Sequence, residues 1–377
     1  MFFILYFKYL DLNTIILNYN IYSNNFILPY MCPSKEISIH LLPFNELAAF
    51  KEFIQNHWKE NHIFSIENSI FDWQHKGQKN YNYMIAKQRH KIVGIHGIIP
   101  LNHFDKDLPS NQIFIALWRV LEGIGIGIGL RIFKKILDHY NPEFIAGLPV
   151  NPNVAKFYQS QKFDIVNLDH FVFLSSTITN FDIATIPKDF APSFTPIKQS
   201  IQFEKLTADR LISLNSNHLY KHQMPTKSDH YIINRYMNHP AYDYSVYGIF
   251  YNSQIKCIFV LRPVYRGSAK AYTIVDYIGP NSSFHYIQPA ILDILENSET
   301  EFIDIYSYGI LEQELLRAGF INRKTTNNLI IPGLFEPFVN KNLDISCAFK
   351  NSSNTNVRIF KGDSDADRPN QIKGNKS

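Results

Sequence analysis

Cysteine is scarce: three among 377 residues, at 32, 257 and 347, far apart and odd in number. That excludes a disulfide framework and leaves no Cys-x-x-Cys pair for a metal, a pattern suited to a reducing cytoplasm. Charge of one sign is scarce as well. Lysine and arginine number 37 against 33 acidic residues, a net of +4, too mild for a protein that holds nucleic acid by charge alone. Long hydrophobic runs are also missing. The apolar opening, residues 1–30, is broken by Lys8, Asp11, Asn13, Asn18 and Asn20. It falls short of the ~20 apolar residues of a membrane span and lacks the basic start of a signal peptide. We expect it to be a dispensable or disordered extension, with the working protein starting at Met31 and no stable membrane insertion.

What is present describes a folded protein. Hydrophobic residues make up 45% and charged residues 19%, outside the range of disordered or fibrous chains. Aromatics reach 15%, beside abundant Asn, Ile and Lys, which we read first as the codon bias of an AT-rich genome. The length suggests two domains.

Periodicity gives an order of elements. A strand at 36–43 precedes a helix at 44–58 with Leu47, Phe50, Ile54 and Trp58 at helical spacing. Residues 81–101 read as a hairpin around a polar QRHK turn, and 111–120 as a strand. A helix at 130–140 carries Leu130, Phe133 and Leu137 on one side. A short strand follows at 143–149, then a helix at 151–163 with Pro152 in its first turn, then a strand at 169–174. Residues 175–200, rich in Ser, Thr and Pro without periodicity, read as a linker. The second half repeats the order: helices at 206–219 and 231–240, a hairpin at 243–264, a strand at 270–279, a helix at 287–297 and a strand at 301–307. LEQELLRAGF (311–320) takes the place of AKFYQSQKF (155–163). Two similar halves, a duplication, are the expected architecture.

The most specific local feature is a strand, then glycines, then a helix: ALWRVLEGIGIGIGLRIFKKIL. Glycines at 123, 125, 127 and 129 free the backbone to bend and let its N–H groups converge on an anion at a helix start. The spacing is not the dinucleotide GxGxxG, and no GK[ST] follows, so neither a Rossmann nor a P-loop site is expected. Downstream, Asn151 and Tyr158 stand two helical turns apart on one face.

With these motifs the first half resembles the GNAT superfamily of acyl-CoA-dependent N-acyltransferases. Val120 and Glu122-Gly123-Ile124-Gly125-Ile126-Gly127 match its phosphate loop, with Glu122 in place of the usual Arg or Gln. Asn151, Tyr158 and Lys162-Phe163 match its later motif, with Lys162 in place of Gly. The resemblance implies an α/β (α+β) fold of tandem GNAT-like lobes, each a mixed sheet flanked by helices. It implies acetyl-CoA or another acyl-CoA as co-substrate, bound by Val120, Glu122, Gly123, Gly125, Gly127 and Asn151. It also implies Tyr158 as the proton donor to the departing thiolate. The second half is similar to two-lobed GNAT proteins of bacterial surface-polysaccharide (O-antigen or capsule) gene clusters, on segments such as YIINRYMNHPAYDYSVYGI (231–249), TIVDYIG (273–279) and FKGDSDADRPN (360–370). That lobe has no glycine loop and is expected to bind no CoA.

The expected domains are 31–175, the acyl-CoA lobe; 176–200, the linker; 201–345, the second lobe; and 346–377, a C-terminal tail. A general base is harder to find, because the strand before the glycines offers Trp118 and Arg119 but no carboxylate. Candidates are His96, otherwise a satisfied core histidine, and Glu67 and Asp72, which lie on the segment that walls the acceptor site in such folds; Asp72 and His96, with Asp276, are also the expected substrate-binding residues. Asp276, a carboxylate in an apolar strand, is either paired structurally or faces the substrate. DSDADR (363–368) alternates acids as a calcium loop does, but lacks its glycine and distal glutamate. A tail docked through Asp–Arg pairs fits it better, and no metal is expected. The reading that follows is a cytoplasmic enzyme acylating a small-molecule amine, such as that of a nucleotide-linked amino sugar, without nucleic acid. The alternatives are a Fem-type aminoacyltransferase using aminoacyl-tRNA and a non-catalytic binding or assembly protein.

Overall fold

The computed structural model describes residues 37–370, apart from 126, 189, 191, 192, 222, 336 and 337. The expectation for residues 1–30 lies outside the described residues, as does the end of the tail. The first lobe begins with β1 (Ile37–Pro43), followed by helices α1 (Leu47–His57), α2 (Ile63–Ile66) and α3 (Asn68–His75). Next come β2 (Asn80–Gln88), β3 (Lys91–Pro100), β4 (Gln112–Val120), α4 (Ile128–Tyr140), β5 (Phe144–Gly147), α5 (Pro152–Ser160), β6 (Asp164–Asn167) and β7 (Asp169–Leu174). The second lobe holds β8 (Gln202–Lys205), α6 (Ala208–Ser213), α7 (Asp229–Ile232), β9 (Ser245–Tyr251), β10 (Gln254–Arg266), β11 (Ala269–Ile278), α8 (Gln288–Asn297), β12 (Thr300–Tyr308), α9 (Glu312–Arg317) and β13 (Ile321–Asn322). Two strands follow, β14 (Ser346–Asn351) and β15 (Ile359–Phe360).

The hairpins form around their polar turns. Arg89 turns the first at φ 56°, and Asn252 and Ser253 turn the second at φ 51° and 59°. Helix α4 starts earlier than its periodicity suggested, because Gly127, at φ 85°, ends the glycine turn and caps it. Its inward stripe is therefore Ile128, Ile132, Phe133 and Ile136, while Leu130 is 48% exposed. Each fully buried side chain of this size contributes ~1.5–3 kcal/mol. That is enough to choose the register of the stripe.

The sheets depart from the expected division. The first has order β1-β2-β3-β4-β5-β14-β6, and the second β13-β7-β12-β11-β10-β9-β8, with β15 beside β12. Strand β7, read as closing the first half, pairs with β12 and β13 in the second sheet. Strand β14, read as part of an appended tail, lies inside the first sheet between β5 and β6. The physical reason is the burial of β5, whose four residues are all buried. A buried strand needs partners for its backbone on both edges, and β14 supplies the second. Both lobes share one crossover: β4–α4–β5 and β11–α8–β12 each join parallel neighbours through a helix.

Candidate active site

The site grows from a difference in strand length. Strands β4 and β5 pair from Gln112↔Phe144 to Ile115↔Gly147. There β5 ends and its continuation turns to β14, with the Val150 N–H donating to the Ser346 carbonyl. Strand β4 runs on to Val120 with β3 as its neighbour on one edge. Residues 116–120 therefore present a strand edge without β5, and that edge leads into the glycines. A free edge offers amide N–H groups to a carbonyl oxygen laid against it.

Gly123, Gly125 and Gly127 have φ of 76°, 130° and 85°, conformations that side chains disfavour. A Cβ built on any of the three would meet nothing within 4 Å. The glycines are thus not packed against the core. They form an open backbone cradle at the start of the 13-residue helix α4. A pyrophosphate fits such a cradle by its charge and its need for N–H donors. Glu122 beside it is exposed, and Val120 is partly buried on β4.

Tyr158 lies on α5 among aromatic rings, with centroids of Phe163 at 5.2 Å, Phe133 at 6.3 Å and Trp118 at 6.4 Å. Burial, with the Cys347 thiol adding to it, pushes its phenol above the ordinary value of 10.0. The phenol is therefore protonated at neutral pH, the form a proton donor needs. Asn151 caps α5, its Oδ1 accepting from the Asn153 N–H at 2.9 Å. A cap of this kind stabilises a helix by ~1 kcal/mol, so Asn151 has a local role whatever it contacts besides.

Of the other candidates, His96 lies beside this wedge through Trp118, and Asp72, Glu67 and Asp276 make their contacts elsewhere. His96 is fully buried and stacks on Trp118 at 4.7 Å with ring planes 2° apart. Neither ring nitrogen has a hydrogen-bond partner, and burial lowers its pKa to about 3. It is a neutral core histidine facing no solvent. Asp72 accepts from Lys76 Nζ and the Tyr81 hydroxyl, each at 2.9 Å. Glu67 accepts from the Ser69 N–H and hydroxyl, which hold its carboxyl below the usual value. Asp276 is the paired alternative: fully buried, it takes Lys227 Nζ at 2.7 and 2.8 Å and the Tyr236 hydroxyl at 2.8 Å. Burial pushes its carboxyl up against the pull of Lys227.

In the second lobe the corresponding wedge is filled. Pairing of β11 with β12 stops at Ile274↔Ile305. Beyond it the chain's own C-terminal segment enters: β15 pairs with β12, and the Gly362 N–H donates to the Val275 carbonyl at 2.9 Å. A Cβ on Gly362 would meet that carbonyl oxygen at 2.5 Å and the Tyr236 hydroxyl at 2.8 Å. The loop after β11 is packed too. A Cβ on Gly279 would meet the Cys257 Cβ at 2.7 Å, and Pro280 offers no N–H.

The segment is held by buried charge that the sequence reading did not assemble. Lys227 bridges Asp276 and Asp363, and Arg262 takes Asp367 at 2.7–3.0 Å through two nitrogens. Arg235 donates to the carbonyls of Gly362 and Ser364. The sequence did carry one signal for this: Arg262 stands alone in the apolar run CIFVLRPV. The Asp–Arg docking expected of DSDADR is present. Among the described residues no group of three His, Cys, Asp or Glu is placed to hold a metal, and no helix is long and apolar enough to cross a membrane. An open groove of about 1050 Å³ lies on the second lobe between β8, α6 and the start of β10, and none of its lining residues belongs to the glycine loop. Strand edge and cradle are a better guide to the chemistry than that volume.

This is the fold of the GNAT-type N-acyltransferases, in two tandem lobes. Among solved structures the chain is similar to a GCN5-related N-acetyltransferase from Anabaena variabilis, at 10% identity and a TM-score of 0.51, covering 84% of this chain and 73% of that one. It is also similar to a protein from Enterococcus faecalis described as of unknown function and a probable N-acyltransferase, at 8% identity and a TM-score of 0.51, covering 83% and 72%. At such identities the fold is what is shared. No family model and no curated protein sequence matches the chain.

Proposed function

We propose that the protein is an N-acyltransferase that moves an acyl group, most simply acetyl, from acyl-CoA to an amine. The observation that carries this reading is the open three-glycine cradle at the start of α4, directly after the unpaired edge of β4. The co-substrate supplies an activated thioester. Backbone N–H groups of residues 123–125, 127 and 128 would receive its pyrophosphate, and the edge of β4 would polarise the thioester carbonyl. The amine nitrogen bonds to the carbonyl carbon and gives up a proton to a base, the C–S bond breaks, the thiolate takes a proton from the Tyr158 hydroxyl, and solvent returns the released proton to Tyr158. The filled wedge of the second lobe supports one CoA site per chain.

The acceptor we propose is a small molecule, the amine of a nucleotide-linked amino sugar. It rests on the sequence resemblance of the second half and fits a cytoplasmic setting, where both substrates would be made. The test is to incubate the protein with acetyl-CoA and a panel of nucleotide-linked amino sugars and follow thiol release. Calorimetry with CoA is the companion measurement, with one site per chain expected. Absence of CoA binding would overturn the reading, and thiol release with other amines alone would replace the proposed acceptor class.

A further inference from the structure

Building on that reading, we infer that Asp365, carried in from the C-terminal segment, is the carboxylate that receives the acceptor amine at the first lobe. Its place comes from its neighbour. The Ser364 hydroxyl donates to the Ile115 carbonyl at 3.1 Å, and Ile115 is the last β4 residue paired with β5. The segment that fills the second wedge thus continues to the vertex of the first. Asp365 is the next residue.

The three aspartates of this segment are not equivalent. Asp363 lies 3.0 Å from the Lys227 ammonium and accepts from the Phe360 N–H at 2.8 Å, and Asp367 forms a close pair with Arg262, both carboxylates buried. Asp365 accepts instead from a neutral amide, Gln74 Nε2 at 2.9 Å, and lies 3.5 Å from Arg368, its carboxyl side chain 12% exposed. Arg368 is itself drawn off, its Nη1 standing 2.8 Å from His62 Nε2. Gln74 and its neighbour His75 sit on α3 over β3, where His75 Nδ1 meets the Ile98 carbonyl at 3.1 Å, and Ile98 pairs with Ile115. A second observation points to a missing partner. The Tyr83 hydroxyl is fully buried without a hydrogen-bond partner, and its ring packs 4.6 Å from that of His75, the neighbour of Gln74. A polar cluster with an incompletely matched carboxylate and an unsatisfied hydroxyl is suited to an amine, which brings N–H donors and positive charge.

The step balances within the proposed reaction. As the C–N bond forms, the attacking nitrogen gives its proton to the Asp365 carboxylate while the thiolate takes one from Tyr158. Solvent returns the proton from Asp365 to Tyr158.

The test uses the full chain. With acetyl-CoA and three amines (glucosamine, spermidine and a glycine-started peptide), Asp365→Asn should lower kcat/KM for whichever amine reacts by about 10²-fold. It should leave KM for acetyl-CoA and the Kd for CoA within about twofold, which also shows that the variant folds. Asp365→Glu should restore part of the loss. Wild-type turnover by Asp365→Asn would overturn the proposal. An arm independent of the acceptor treats the wild type with a carbodiimide and methylamine and maps the products. Asp365 should be amidated ahead of Asp363 and Asp367, and an unmodified Asp365 beside labelled surface carboxylates would overturn the proposal too. If the wild type binds no CoA, the functional reading fails separately, and the labelling still decides whether Asp365 receives an amine.

Discussion

The two lobes carry the same strand–helix–strand crossover and use the gap it opens in opposite ways. In the first, β4 outlasts β5, the gap stays open, and three glycines with no neighbour at Cβ lead into α4. In the second, residues 359–362 lie in the gap, and the loop after β11 is too tightly packed to accept a methyl group at Gly279. The same architecture can therefore present an open gap or one filled by the chain's own backbone. The same segment reaches the other vertex as well, where the Ser364 hydroxyl donates to the Ile115 carbonyl.

The largest expected effect separates the two loops. Val at both Gly125 and Gly127 puts branched side chains at φ of 130° and 85° and fills the cradle, so CoA binding by calorimetry should fall beyond detection, at least ~10³-fold. Ser282→Val, at the corresponding turn of the second lobe, should leave it unchanged. Equal loss in both variants would erase the distinction between the lobes.

Next is the buried charge that seats the filling segment. Lys227→Met leaves Asp276 and Asp363 buried without their cation and should cost about 3–5 kcal/mol in denaturant unfolding. Within the first lobe, Tyr158→Phe should lower kcat by ~10²-fold with KM for acetyl-CoA nearly unchanged, and a change confined to KM would make it a packing residue.

A smaller effect appears with pH. His96 is held neutral in the fold, with a pKa near 3 against 6.5 unfolded, so the unfolded chain binds more protons between those values. Its contribution is fully present above pH 6.5 and is lost progressively as pH falls toward 3, by up to ~1.4 kcal/mol per pH unit. In His96→Phe, unfolding free energy measured from pH 7 to 4 should fall less steeply. The smallest effect is expected of Lys76→Met, which removes an exposed pair with Asp72 and should cost ~0–1 kcal/mol.

Much of this was legible in the sequence because it is local. The polar turn between β2 and β3, the glycine turn and the Asn151–Pro152 helix start are written within a few residues of where they act. What could not be read is long-range. SCAFKN (346–351) has the length and composition of many short strands, and nothing in it names β5 as its neighbour. For Asp276 the sequence left pairing and substrate contact both open, and its partner Lys227 comes from a loop with no periodicity to place it. Asp365 looked like one acid among three until the partners of the other two were known.

The exchange of β7 and β14 also bears on how the chain is made. Strand β5 emerges from the ribosome with one inner edge bare, and β6 has no sheet partner at all until β14 follows. Roughly two hundred residues separate them, and at ~5–20 residues per second that gap lasts on the order of 10–40 s. During that interval an apolar strand edge stands open to any passing chain. Lobe-by-lobe folding is closed to this protein, and its yield in a cell should depend on what shields that edge while the ribosome finishes.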